Sequence, residues 1–244
     1  VRRATVLIVI LLAVLLVLAC GKNAPLNRDA TATTASVATT PTSTTPAIAP
    51  RSARDGCKAV AAPIPSQHPP VRRRSGKRLS ARRTYVAVLE TNCGTIRILL
   101  AVRRAPKTTS SFAGLVRNGF YDGLTFHRIA KPGGNDYVIQ GGDPQGDGNG
   151  GPGYSVVEKP SRRTRYVRGV VAMAKTATDA PGTSGSQFFI VTAKEAPLPP
   201  EYAVLGRVVG GQTVVRRIAR LATDPVSEMP TDPVVMQRVR IERR

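Results

Sequence analysis

Tyr137-Val138-Ile139-Gln140-Gly141-Gly142-Asp143-Pro144 is an apolar run carrying one glutamine that stops at a glycine pair. Tyr137–Gln140 reads as a short strand. Gly141–Gly153 reads as a turn-rich loop, because glycine reaches the backbone conformations that tight turns demand. Upstream, Phe126–Ile129 reads as another short strand. Downstream, Gly169–Ala174, Gln187–Thr192 and Ala203–Val209 are apolar strands, and Val234–Ile241 closes the series. Nearer the front, Tyr85–Thr91 and Thr95–Leu100 alternate apolar and polar residues around Asn92-Cys93-Gly94, the pattern of a β-hairpin. Two stretches break the alternation. Ala105-Pro106 opens a helical pattern that runs through Asn118, with Phe112, Leu115 and Val116 at i, i+3 and i+4 and Gly119 as the stop. Gln212–Ala222 has helical spacing through Val215, Ile218 and Leu221 or Ala222. Many short strands with only two helices predict a mainly β fold, a closed antiparallel barrel that leaves no sheet edge free.

Several patterns in and around the glycine-rich loop suggest other chemistries and fail on context. Gly146-Asp147-Gly148-Asn149-Gly150-Gly151 matches GxGxxG, but Pro152-Gly153 follows where a dinucleotide site needs a helix to open. Asp143–Gly148 resembles the start of a calcium loop, yet its twelfth position is Tyr154 where a bidentate Glu is required. The two histidines, His68 and His127, have no second ligand at metal spacing. Ser184 and Ser186 do not form GxSxG. No metal site and no nucleophile constellation is expected.

The net charge is +21, of which +2 falls in residues 1–19, +10 in residues 20–83 and +9 in residues 84–244. About half therefore belongs to a lead-in. Ala30–Pro50 is almost wholly Ala, Thr, Ser and Pro and has no aromatic residue, so it lacks the apolar surface to offset chain entropy. Residues 20–83 are read as a disordered tether, and residues 84–244 as the folded domain. Seven of the twelve residues Arg72–Arg83 are basic. That run is either a solvated, self-repelling linker or an adhesive for anionic lipid or cell wall. Nucleic acid is not expected, since no aromatic side chain is interleaved with the charges.

Arg2 and Arg3 precede an apolar run from Val6 to Leu18 that ends at Ala19-Cys20-Gly21. A basic start, a short apolar core and a small residue before the cut describe a secretory signal over residues 1–19. The run falls short of the roughly 20 residues a comfortable membrane span needs. Val17-Leu18-Ala19-Cys20 resembles the bacterial lipobox, which implies lipidation of Cys20; the alternative is an uncleaved signal anchor. Either reading puts the rest of the chain outside the cytoplasmic membrane, and the lipobox puts it on the outer face of a bacterial cytoplasmic membrane. With Cys20 set aside, Cys57 and Cys93 are an even pair in an exported chain, either one disulfide or two separate thiols.

Six ordered blocks across Tyr85–Ile241 together resemble the cyclophilin family of peptidyl-prolyl cis–trans isomerases. They are Phe126-His127-Arg128-Ile129, Tyr137 to Pro144, Gly150-Gly151-Pro152-Gly153-Tyr154, Val171-Ala172-Met173-Ala174, Gly185-Ser186-Gln187-Phe188-Phe189-Ile190 and Leu205-Gly206-Arg207-Val208. The resemblance implies an eight-stranded antiparallel barrel capped by two helices, with the active face outside and no cofactor. By motif, Arg128 is the catalytic guanidinium, with Phe126 and His127 beside it. Gln140 holds Arg128 and touches the substrate backbone. Phe189, Val138 and Leu198 line a proline pocket with Tyr137 at its edge, and Ala174 and Gln187 contact the residue before proline. Pro197-Leu198 stands where the family often has Trp-Leu, and Tyr202 where it often has His, both beside the pocket. The departures imply altered substrate preference and weaker cyclosporin binding, with catalysis retained.

Such a site suits the reaction. Rotation about a peptide bond costs about 18–20 kcal/mol because the nitrogen lone pair is delocalised into the carbonyl. A donor aimed at the prolyl nitrogen binds the twisted amide better than either planar form. Arg128 supplies that donor with a permanent charge. The expected partners are proline-containing peptides and unfolded exported proteins, plus the membrane through the lipid, and the chain is expected to be a monomer. The other function class is a proline-peptide binding module or holdase with little turnover.

Overall fold

The computed structural model describes residues 56–61, 63 and 78–244. The signal segment 1–19, Cys20, the Ala30–Pro50 stretch and the first part of the basic run lie outside the described residues.

The hairpin at the front forms as its alternation requires. β1 (Tyr85–Thr91) and β2 (Gly94–Leu100) pair antiparallel, and Ile96, Ile98 and Leu100 of β2 turn inward on alternate positions. Six more strands extend the ladder: β3 (Arg128–Ala130), β4 (Val138–Gly141), β7 (Val170–Met173), β9 (Phe188–Val191), β11 (Val204–Gly210) and β12 (Met236–Arg243). Their order is β12-β1-β2-β11-β7-β9-β4-β3, with every neighbouring pair antiparallel. The ladder is open between β3 and β12. The residues just before those strands span the gap, with Thr125 bridging Val235, Phe126 N–H donating to the Val234 carbonyl at 2.9 Å and Met236 N–H to the Leu124 carbonyl at 2.8 Å. Sequence alternation places strands at Phe126–Ile129 and from Val234; the paired strands begin two residues later because these residues make the bridge instead.

Four two-residue strands complete the set. β5 (Val156–Val157) pairs with β8 (Thr183–Ser184), and β6 (Tyr166–Val167) with β10 (Glu195–Ala196). They are too short to carry a periodic signal.

Two helices pack on the sheet. α1 (Pro106–Arg117) starts at a proline, where the missing N–H costs nothing. No side chain of its own caps it. Glu158 does so from a distance, accepting from the N–H groups of Lys107 (3.2 Å) and Thr108 (2.9 Å). α2 (Gln212–Ala219) stops before Ala222, the end expected from its spacing. Arg220 and Leu221 turn onto the carbonyls three residues back, which tightens the final turn and still buries Leu221.

The main core lies between sheet and helices. Phe112, Tyr121, Phe126 and Phe188 form its aromatic centre, with ring centroids 4.9–6.0 Å apart. Tyr121 donates its hydroxyl to the Ser186 carbonyl at 2.9 Å, and complete burial holds its phenol well above the usual range.

Chain N-terminal to residue 84 also packs here. Leu79 is buried in the main core and its N–H donates to Ser110 Oγ at 3.0 Å. Cys57 and Cys93 are joined by a disulfide. Around it, Lys58 N–H donates to the Asn92 carbonyl at 2.8 Å, and Asn92 Nδ2 donates back to the Lys58 carbonyl at 2.8 Å. These contacts begin ahead of the domain boundary expected at residue 84.

Candidate active site

Strand parity builds the site. In β9, Phe188 and Ile190 turn into the main core, while Phe189 and Val191 turn to the other face. On that face they join Val138, Ala172, Tyr166, Ala130 and Ala196 in a second apolar cluster. Tyr137, Ala174, Leu198 and Tyr202 lie half-buried against it. Six residues expected to meet the substrate from five separate segments are thereby assembled in one patch.

The polar half sits at the end of the ladder. β3 pairs with β4 so that Arg128 stands opposite Gln140, and β4 pairs with β9 so that Gln140 stands opposite Phe189. Arg128 Nη1 donates to Gln140 Oε1 at 3.3 Å, and Gln140 Nε2 donates to Gln187 Oε1 at 2.9 Å. Gln187 in turn donates to the carbonyls of Gly148 (2.8 Å) and Gly150 (2.9 Å). The two glutamines thus connect the guanidinium to the glycine-rich loop. Asp143, itself buried, holds that loop from within by accepting from the N–H groups of Gln145 (2.9 Å) and Gly148 (2.5 Å). Gly150 must be glycine there, since a Cβ would sit 2.0 Å from Asp143 Oδ1.

Tyr202 forms one wall of the apolar pocket. Its ring meets Phe189 edge-on at 5.5 Å and Tyr166 at 6.0 Å. Tyr166 locks the Tyr202 backbone, donating its hydroxyl to the Tyr202 carbonyl at 2.7 Å and accepting from its N–H at 2.9 Å. Burial pushes the Tyr166 phenol up to about 12, so it remains a donor at physiological pH. Lys175 stacks its ammonium 5.6 Å from the Tyr202 ring centre and pairs with Glu201 at 3.3 Å. Pro197 is exposed beside half-buried Leu198. Ala174 N–H donates to the Gln187 carbonyl at 2.9 Å, which fixes the two expected neighbours of the pre-proline residue together.

Two expected contact residues are placed differently. Phe126 is fully buried in the main core, its ring 5.8 Å from that of Phe188. His127 is also buried, and neither ring nitrogen has a partner among the described residues. Burial depresses its imidazole, the Arg128 charge adds to that, and Asp143 opposes it. Phe126 packs in the main core, and His127 lines a cavity beside Asp143, Pro144 and Gln145. Among the described residues, no group of three or more His, Cys, Asp or Glu is placed to hold a metal.

The sequence reading missed one side chain on the guanidinium. Glu228 Oε2 accepts from Arg128 Nε at 2.6 Å, on a residue 100 positions away. Its backbone is held as well: Ile129 N–H donates to the Glu228 carbonyl at 2.8 Å, and Glu228 N–H to the Asp224 carbonyl at 3.0 Å. Among the described residues Glu228 alone, outside the glycines, has positive φ, at 57°. Asp224 stabilises this turn by accepting from the N–H groups of Val226 and Ser227. Asp224-Pro225 announces a turn. Nothing local says that its far side reaches β3.

Comparison with known proteins agrees with this geometry. A family profile described as cyclophilin type peptidyl-prolyl cis-trans isomerase/CLD matches residues 86–241. Peptidyl-prolyl cis-trans isomerase A of Mycobacterium tuberculosis is 38% identical over 176 residues, which is 65% of this chain and 92% of that protein. Peptidyl-prolyl cis-trans isomerase B of Streptomyces anulatus is 35% identical over 176 residues, covering 65% of this chain and 97% of its own. The crystal structure of a Cryptosporidium parvum cyclophilin type isomerase superposes with a TM-score of 0.59 at 29% identity, covering 65% of this chain and 98% of that one. That protein was also crystallised in the presence of the dipeptide Ala-Pro, and this form superposes with a TM-score of 0.58. The chain belongs to the cyclophilin family and is a peptidyl-prolyl cis–trans isomerase.

Proposed function

We propose that the chain catalyses rotation of X-Pro bonds in exported proteins and assists their folding, held at the outer face of the cytoplasmic membrane by a lipid on Cys20. In this reading the proline ring enters the cluster of Val138, Phe189 and Leu198, with Tyr137 and Tyr202 at its rim. Arg128 lies beside it and donates to the prolyl nitrogen as the amide twists. The observation that carries the assignment is the held guanidinium next to an open apolar patch. Glu228 and Gln140 take two of the five N–H donors that a guanidinium carries. The others are not engaged by any described residue. Two anchors from opposite sides keep the group from reorienting, so the donor is in place before the substrate arrives, as electrostatic preorganisation requires. The twisted amide has its lone pair localised on nitrogen, and that state gains most from the donor.

The tether supplies reach. About 65 residues from Cys20 to Tyr85 would span roughly 40–50 Å as a flexible coil, and a bridge at Cys57 shortens the usable part. The domain would then sample chains as they emerge from export.

Turnover of an X-Pro peptide and of a proline-limited refolding protein tests the catalytic part. Arg128→Ala in the full chain is expected to lower kcat/KM by about 10²–10³-fold, the size of one transition-state donor, without loss of the folded signal. Turnover at the wild-type level would exclude the mechanism. Cys20→Ser is expected to abolish lipid labelling and release the chain from membranes, or to leave the precursor uncut. A processed, membrane-bound variant would exclude the anchor.

A further inference from the structure

One groove of the body, of about 680 Å³, is lined by five arginines: Arg82, Arg83, Arg103, Arg104 and Arg207. They come from three separate parts of the chain, and backbone geometry gathers them. Arg103 Nε donates to the Ala81 carbonyl at 3.1 Å, which lays Arg82 and Arg83 beside the turn carrying Arg103 and Arg104. The Ala101 N–H donates to the Leu205 carbonyl at 2.9 Å, which draws that turn to β11, where Arg207 stands between Leu99 of β2 and Val170 of β7.

All five are exposed, no Asp or Glu lines the groove, and among the described residues none of the five is in an ion pair. Elsewhere the same fold supplies carboxylates: Arg97 meets Glu242, Arg240 meets Glu90, and Arg165 meets Glu195. Holding five like charges together raises the self-repulsion of the body, which a counter-charge from outside would relieve.

We propose that this groove docks the domain on a bilayer that presents anionic phospholipid headgroups. The guanidinium fork matches a phosphate through two parallel N–H bonds, which a lysine cannot do. Arg82 and Arg83 are the last two residues of the basic run Arg72–Arg83, so the sequence leads further cations to the groove than one free anion needs. Nucleic acid fits less well, because no aromatic side chain lines the groove to stack on a base. None of the residues expected to meet the substrate lines the groove, although its Val170 and Val204 pack against the edge of the same apolar cluster. Arg207 on β11 is four strand steps from Arg128 on β3, roughly 19 Å along the sheet, so the docking charges and the candidate donor stand apart. The choice of a bilayer rests on the membrane-anchored reading above.

Arginine footprinting with phenylglyoxal tests this on the full chain. The chain is mixed with phosphatidylcholine vesicles, with or without phosphatidylglycerol, so that the apolar segment Val6–Leu18 meets a bilayer in both. Lipidation of Cys20 is not needed, so the result is independent of the anchor. The five groove arginines are expected to react several-fold more slowly on the anionic vesicles, while exposed Arg162 and Arg163 keep their rates. Arg103→Gln with Arg207→Gln should abolish that protection at Arg82, Arg83 and Arg104. It should also weaken anionic vesicle binding by roughly 25-fold, about 5-fold per charge, with isomerase turnover unchanged. Equal protection on neutral vesicles, or protection of all arginines alike, overturns the proposal. Equal protection by glycerol phosphate alone makes this a small-anion site and overturns it too, as does stronger protection by an oligonucleotide.

Discussion

The sheet carries two apolar clusters on opposite faces, and adjacent residues of β9 belong to different ones. Phe188 is sealed in the main core among Phe112, Tyr121 and Phe126. Phe189 faces a shallow cluster whose outer members, Tyr137, Leu198 and Tyr202, remain half open to water. Both clusters are aromatic, and both satisfy their buried hydroxyls, Tyr121 through Ser186 and Tyr166 through Tyr202. What separates them is the cover. Both helices pack over the first cluster, whereas the second is closed only by Tyr166 and Ala196 of the short β6–β10 pair and by the half-buried Tyr137, Leu198 and Tyr202. A strand's period of two thus places one phenylalanine in the sealed core and its neighbour in the candidate substrate patch.

Exchanging those duties should give the largest effects. Phe188→Ala is expected to cost about 3–5 kcal/mol, read from urea or thermal unfolding, because the sealed side cannot collapse into the void. Phe189→Ala should cost less stability and lower kcat/KM by roughly 10–100-fold, the worth of one large apolar contact. If the two variants lose stability and turnover in the same proportion, the division between faces is wrong.

Reducing the Cys57–Cys93 bridge acts on the sealed side only. Cys93 is buried in the main core, and the bridge closes a sequence separation of 36 residues. The chain-entropy account gives about 3.5–4 kcal/mol for a loop of ~35 residues. The Cys57→Ser, Cys93→Ser double variant should therefore melt earlier yet keep its turnover well below the transition. Loss of turnover in the folded variant would show that the two sides are coupled.

His127 is buried beside Asp143 and next in sequence to Arg128. Its imidazole is depressed by burial, so the unfolded chain takes up a proton before the folded one does. Stability is then fully present above about pH 6.5 and declines as pH falls, with a limiting slope of about 1.4 kcal/mol per pH unit. Urea midpoints should fall more steeply between pH 7 and 5 in the wild type than in His127→Leu. Identical slopes would mean that folding does not shift the His127 imidazole.

The smallest effect sharpens the polar end. Glu228→Gln keeps the shape and an acceptor for Arg128 while removing the charge. It should lower kcat by a few-fold with little change in KM, because it loosens a positioning contact rather than the apolar grip. A change confined to KM would instead place Glu228 against the substrate.

Much of this was legible beforehand. The alternation in Thr95–Leu100 and the helical spacing from Pro106 are local and strong, so tertiary packing did not override them, while Tyr85–Leu89 forms its strand as a continuous apolar run buried at every residue. The expected pocket residues Tyr137, Val138, Ala174, Phe189, Leu198 and Tyr202 come together on one face, and the resemblance had named them by motif rather than by pattern. Phe126 and His127 share a motif with Arg128, but a motif does not say which way each side chain faces: Phe126 packs in the main core and His127 lines a cavity beside Asp143. Glu228 left no trace, because its contact spans 100 residues and depends on an unusual backbone angle.

By itself the sequence determined the elements whose cause is local: strand parity, a proline at a helix start, and glycines where the loop crowds Asp143. The family motifs singled out Arg128 as the candidate donor. Only the tertiary structure decided which groups converge from far along the chain. It brought Glu228 onto Arg128, Glu158 onto the start of α1 and five arginines onto one groove. The reason is physical. A periodic pattern records which face of an element is apolar, whereas the partner of a charge depends on how the whole ladder curves and where its loops return.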